Sequence, residues 1–145
     1  GSVSHKRDLA VAIAARASGG TLGIDLEDYA PQRPAIADRI LRPAELSALA
    51  ELPPDRRWIA TALRFSMKEA LYKALDPFVR RYVDFHEVEV WPDLAGTARV
   101  DLHLTSGEGP FVVDARYQWW HGRILTTVRV QRSPAASPGP SPDPA

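Results

Sequence analysis

Two short clusters of ionisable residues stand out in this 145-residue sequence. Asp25 and Glu27 lie two apart in the run TLGIDLE. On a β-strand such a pair projects from one face, roughly 7 Å apart along the chain. Two carboxylates sharing a strand face can hold a hard cation through oxygen; the plainer alternative is a solvated strand end with two surface acids. In that reading Ile24 and Leu26 point the other way, into the core. The second cluster is Ser66-Met67-Lys68-Glu69-Ala70-Leu71-Tyr72-Lys73. Glu69 and Lys73, four apart, are neighbours on one helical face. Taken alone they make either a functional acid–base pair or a surface ion pair worth a few tenths of a kcal/mol. Ser66 and Glu69 also have capping-box spacing, but Ile59 and Leu63 run on into Met67 and Leu71, which places Ser66 inside a helix.

These side chains need elements to position them. Residues 9–14 (LAVAIA) read as a buried strand and residues 21–27 as a second, joined by the flexible Ala17-Ser18-Gly19-Gly20. A short helical segment is predicted over 34–41, and a better one opens at Pro43-Ala44-Glu45, with proline in the first turn and an acid near the positive helix end. Pro53-Pro54 stops it. The strongest helix spans 55–75, where Ile59, Leu63, Met67, Leu71 and Leu75 recur every fourth residue; Asp76-Pro77 is expected to end it. Period-two runs follow at Phe85, Val88 and Val90, at Val100, Leu102 and Leu104, over 111–117, and at Ile124, Thr126, Val128 and Val130. Two strands, helices, then about four strands is an α+β pattern, with a small antiparallel sheet wrapped around the long helix.

Composition narrows the classes. The 18 basic and 18 acidic side chains cancel, which argues against a protein that coats nucleic acid. With no cysteine, disulfides, thiolate metal sites and a cysteine nucleophile are excluded. No apolar run reaches the length of a membrane span, and no secretory signal opens the sequence, so a cytoplasmic setting is expected. Residues 133–145 (SPAASPGPSPDPA) hold five of the thirteen prolines and are expected to be a disordered tail behind one domain over 1–132. His86, His103 and His121 lack metal-ligand spacing and read as structural. Trp119-Trp120 reads as an edge-strand aromatic cluster. Arg56-Arg57 and Arg80-Arg81 suit either an acidic partner or solvent.

Together the two clusters resemble the 4′-phosphopantetheinyl transferases. That pattern, a glycine and an apolar residue before Asp-x-Glu, then an aromatic, a small residue, x-Lys-Glu-Ala, two residues and Lys, is met at Gly23, Ile24, Asp25, Glu27, Phe65, Ser66, Lys68, Glu69, Ala70 and Lys73. The opening Gly1-Ser2-Val3-Ser4-His5-Lys6 looks like the Ser-His segment ahead of the first motif in the larger, surfactin- and enterobactin-type members. The stretch Leu41-Arg42-Pro43-Ala44-Glu45-Leu46 looks like the family's helix-opening stretch between motifs.

The resemblance implies transfer of the phosphopantetheine arm of coenzyme A to a serine of an apo carrier protein, with release of adenosine 3′,5′-bisphosphate. It implies Mg²⁺ held by Asp25, Glu27 and Glu69, with Glu69 as general base and Lys73 neutralising the pyrophosphate and leaving group. Ser4, His5, Lys68 and Lys73 are the implied coenzyme A contacts, Lys68 being otherwise a solvated lysine and His5 a turn histidine. The larger members have two similar halves with coenzyme A between them, and this sequence looks like the second half. A homo-oligomer, or a missing amino-terminal lobe, is therefore expected to complete the site. The tail and the lack of an initiating methionine fit a domain cut from a longer protein, such as a polyketide synthase. Two alternatives are an inactive half-transferase that docks carrier proteins and a plain Mg²⁺-dependent phosphohydrolase.

Overall fold

The computed structural model describes residues 1–16 and 19–134. Its strands are β1 (Ser2–Lys6), β2 (Leu9–Ile13), β3 (Gly20–Asp28), β4 (Val88–Pro92), β5 (Thr97–Leu102), β6 (Phe111–Trp120) and β7 (Arg123–Arg132). Its α-helices are α1 (Ala37–Ile40), α2 (Pro43–Ala50) and α3 (Pro54–Val79), and short 3-10 turns precede α1 and β4. A five-stranded antiparallel sheet runs in the order β3-β7-β6-β5-β4, and β1 and β2 form a separate hairpin. The α+β expectation holds.

Helix α3 lies on one face of the sheet. Trp58, Leu63, Met67, Leu71 and Leu75 pack there with Val88, Val90, Ala115, Ile124, Val128 and Val130. Two expectations about this helix fail. Ile59 is 39% exposed, because a four-residue step advances about 40° beyond a full turn and a ridge of five residues, four such steps, drifts off the core. Pro77 does not end the helix: the last turn runs to Val79 and closes on Arg80, whose φ of 49° is left-handed. A proline there removes a single backbone bond, and Phe78 keeps the turn in place by packing on Phe111, ring centroids 5.3 Å apart.

The edges also differ from expectation. The segment Ser2–Lys6, too short and polar to read as a strand, pairs with β2 in the register His5↔Ala10. So β2 partners β1 rather than β3, and it is half-buried rather than buried. Trp119 and Trp120 end β6, an interior strand in the sheet order, but lie beyond the residues that pair with β5 and are paired with β7 alone. Trp119 meets Tyr29 and Tyr117 edge-on. Ser133 donates its backbone N–H to the carbonyl of Pro110 at 3.0 Å. The rest of the proposed tail from residue 135, and Ala17 and Ser18, lie outside the described residues.

Candidate active site

Period-two alternation fixes which side of β3 carries which residues. On the side facing α3, the Thr21 hydroxyl donates to the carbonyl of Ala74, and a Cβ at Gly23 would stand 1.8 Å from the carbonyl oxygen of Ala70. The strand therefore passes so close to the helix backbone that only glycine fits. Asp25 and Glu27 share this side, so the acids point towards the helix. Ile24 (4% exposed) and Leu26 (0%) are buried on the opposite side, outside the cluster built on α3. Ile24 and Leu26 thus point away from the acids and are buried, as expected; what differs is that the acids are not solvated but buried in turn, against the helix. Only placing the helix over Gly23 reveals which side of the strand meets it.

The close approach buries the carboxylates. Asp25 is 5% exposed and Glu27 7%, and Glu69 on α3 is half-buried. Asp25 Oδ2 accepts from the Ser66 hydroxyl at 2.8 Å. That hydroxyl lies 3.0 Å from the hydroxyl of Thr126, which in turn donates to the Ser66 carbonyl at 3.1 Å. Thr126 sits directly across from Asp25 in the β3–β7 register, and sequence reasoning gave it no role in the site. The Lys73 ammonium donates to the Ile24 carbonyl at 2.8 Å and the Val3 carbonyl at 3.3 Å, and lies 3.7 Å from Asp25 Oδ1. Lys73 thus ties β1, β3 and α3 together beside Asp25. Lys6, at the end of β1, pairs with Glu27 Oε2 at 3.0 Å.

The carboxylates repel one another. Burial pushes Asp25 up to about 7, the charge of Glu27 adds to the rise, and the Ser66 hydrogen bond and Lys73 oppose it. Glu69 is raised too, first by burial and then by Glu27, with Lys73 and Lys6 pulling the other way. An all-oxygen, acidic donor set of this kind fits a hard divalent cation. As the side chains stand, however, no three His, Asp or Glu among the described residues are grouped closely enough to hold a metal ion. Glu27 is turned to Lys6 and Asp25 to Ser66.

The remaining implied contacts fare differently. Lys68 does not face the site. It is 0% exposed, and its ammonium donates to Glu45 Oε2 at 2.8 Å and to the carbonyls of Ile40 and Phe85 at 2.6 and 3.1 Å. Burial pulls its pKa down, against the pull of Glu45. With three protons committed to protein acceptors it has none for a phosphate, and it is not a solvated lysine either. Ser4 is buried, and its hydroxyl accepts from the N–H of Leu26 at 3.1 Å. His5 is exposed on β1, on the opposite side from Ser4. It is a strand residue rather than a turn residue. Arg81 is bound to Glu87 and Glu108, and Arg57 donates to the carbonyls of Leu52 and Ala50.

Comparison with known proteins agrees with this geometry. A family model for the 4′-phosphopantetheinyl transferase superfamily matches residues 21–128. The 4′-phosphopantetheinyl transferase Svp of Streptomyces mobaraensis is 36% identical over 129 residues, covering 85% of this chain and 50% of that protein. A holo-[acyl-carrier-protein] synthase of Geobacillus kaustophilus is 41% identical over 59 residues, 41% of this chain and 46% of that protein. The chain thus spans about half the length of these relatives. Among solved structures, the holo-[acyl-carrier-protein] synthase of Thermotoga maritima superposes with a TM-score of 0.64 at 24% identity, covering 78% of this chain and 64% of that one. The coenzyme A complex of the Chronobacterium ammoniagenes enzyme gives 0.60 at 18% identity, covering 81% of this chain and 100% of that one. These two likenesses show a shared fold. The match over 21–128 takes in Gly23 against Ala70, the buried acids of β3 and the Glu69–Lys73 turn of α3. The chain belongs to the 4′-phosphopantetheinyl transferase superfamily.

Proposed function

We propose that the chain transfers the 4′-phosphopantetheine arm of coenzyme A to a serine of an apo carrier protein. The observation that supports this best is the pair of buried acids on β3 held against Glu69 and Lys73 of α3, an arrangement that fold stability alone does not favour. In the reaction the carrier serine oxygen bonds to the phosphorus that bears pantetheine. The bond from that phosphorus to the bridging oxygen breaks, and adenosine 3′,5′-bisphosphate leaves with the electron pair. Glu69 takes the serine proton, and its raised affinity for protons makes it the stronger base. Lys73, fixed by two carbonyls, supplies a stationary positive charge to the pyrophosphate. Asp25, Glu27 and Glu69 would hold Mg²⁺, which when bound neutralises charge on the pyrophosphate. Ser66 and Thr126 orient Asp25.

The match of most of this chain to half of the Streptomyces mobaraensis transferase supports a site completed by a second lobe, from another copy or from an amino-terminal half. His5, exposed on β1, would face coenzyme A across that junction. Coenzyme A and carrier proteins as substrates support a cytoplasmic setting. Among the described residues no helix is long and apolar enough to cross a membrane.

Intact-mass measurement of apo carrier proteins incubated with the chain, coenzyme A and Mg²⁺ tests this. The expected result is a gain of one phosphopantetheine, lost in Glu69→Gln. Cleavage of coenzyme A with no carrier modified would identify a phosphohydrolase instead. Absence of both reactions, with carrier retained on the chain, would identify a docking module. Sedimentation with and without coenzyme A reads the second copy.

A further inference from the structure

We propose that Lys6 is an internal competitor for the cation site: its ammonium occupies Glu27 until a divalent ion displaces it. Strand β1 then sets the cation concentration at which the site loads. The inference rests on the assignment of Asp25, Glu27 and Glu69 to metal binding made above.

The contact is held from both sides. Lys6 Nζ stands 3.0 Å from Glu27 Oε2, with the lysine side chain 38% exposed and the glutamate 9%. The backbone of Lys6 is fixed by its pairing with Leu9 across a turn that begins at Arg7, φ 50°. Two residues earlier the Ser4 hydroxyl anchors β1 to the N–H of Leu26. The stem of Lys6 is therefore delivered next to Glu27 by the strand rather than found there by chance.

The two lysines of the site differ in what holds them. Lys73 is bound by two neutral carbonyls as well as by Asp25, so a cation arriving at Asp25 leaves most of its anchorage intact. Lys6 is held by the Glu27 carboxylate, which is one of the proposed metal ligands. An ammonium and a divalent ion on one carboxylate oxygen repel strongly at such range, more so beside a buried group. Lys6 also has somewhere to go. Its side chain is 38% exposed and borders, with Glu27 itself, a solvent-open cleft of about 300 Å³, so the ammonium can swing off the carboxylate into water; the neighbouring Asp28 is already paired with Arg123 at 2.9 Å. Displacement costs the ion pair and nothing of the strand.

Mn²⁺ binding to the full chain without coenzyme A, followed by calorimetry and by the paramagnetic signal of the free ion, tests the inference. Lys6→Met keeps the stem and removes the charge. Its dissociation constant for Mn²⁺ should fall on the order of three- to tenfold, the value of a partly exposed ion pair plus the lifted repulsion. Melting temperatures of parent and variant establish that both are folded. Equal or weaker Mn²⁺ binding by Lys6→Met, with binding still lost in Asp25→Asn, overturns the competition and leaves the site assignment standing. Binding that survives Asp25→Asn, or that is absent from parent and Lys6→Met alike, overturns the site assignment and this inference with it.

Discussion

Replacing Lys68 with methionine separates a binding lysine from one that holds the fold. The ammonium is fully buried and meets one carboxylate and two carbonyls. Its partner Glu45 is also 0% exposed and accepts from the backbone N–H groups of Arg42 and Val90 at 2.8 and 2.9 Å. Methionine fills the space of the stem but leaves the Glu45 carboxylate without its positive partner and two carbonyls without a donor. Breaking a buried pair in this way costs about 3–5 kcal/mol. For a domain of this size that lowers the melting temperature by roughly 10–20 °C. Unfolding in urea, followed by fluorescence of the four tryptophans, gives the loss directly. Adding Glu45→Gln to Lys68→Met should restore part of it, because the uncompensated charge goes while an acceptor for one N–H remains. A Lys68→Met variant that melts within about 2 °C of the parent and shows a raised KM for coenzyme A would refute the structural role. It would put Lys68 back among the phosphate contacts.

Gly23→Ala drives a methyl group into the Ala70 carbonyl, 1.8 Å away, and helix and strand must separate. The expected cost is about 3 kcal/mol, read by the same unfolding assay, and turnover should fall as Asp25 moves from Glu69. Asp25→Asn should raise stability in a chelating buffer. The native carboxyl holds its proton up to about 7, so its contribution becomes unfavourable as pH rises from the unfolded value through 7. The variant should gain roughly 1–3 kcal/mol at pH 8, a gain that shrinks as pH falls below about 7 and is gone below about pH 4; a less stable variant at pH 8 would contradict it. Arg81 holds Glu87 down to about 2. The stability this provides is complete above the unfolded pKa and is lost as pH falls from there towards 2. Glu87→Gln should flatten that limb and cost about 1 kcal/mol at neutral pH after screening; an unchanged acid limb would show that Glu87 does not set it.

Local signals in the sequence carried the elements further than their orientation. Pro43 and the double proline at 53–54 marked helix ends, because proline constrains its own backbone whatever surrounds it. Spacing marks Asp25, Glu27, Glu69 and Lys73 but leaves surface acids and a surface ion pair open; the family resemblance gives them a common role, and the fold brings all four to one place. The two sides of β3 are legible in the alternation, which separates Ile24 and Leu26 from Asp25 and Glu27, but alternation does not say which side meets the helix. Here the polar side does, and the arbiter is a glycine. Lys68 was misplaced for a related reason. Lys68 and Glu69 are consecutive on α3, about 100° apart around the axis, and only the partner Glu45, twenty-three residues upstream, shows which of them is internal. Thr126 carried no local mark, since its role comes from a strand register spanning about a hundred residues.

The hairpin joins the sheet through side chains. The N–H groups of Ile24 and Leu26 donate to the hydroxyls of Ser2 and Ser4, each at 3.1 Å, where a sixth strand would have offered carbonyls. By strand alternation Gly23 and Asp25 turn their own N–H groups to β7. One strand thus carries two sets of amides with different keepers. Those facing β7 are released only when the sheet opens. Those facing β1 are released whenever the hairpin lifts, a smaller event that leaves the core packed. Amide exchange along β3 therefore alternates residue by residue, fast at 24 and 26, slow at 23 and 25. The difference separates the free energy of lifting the hairpin from that of unfolding the protein.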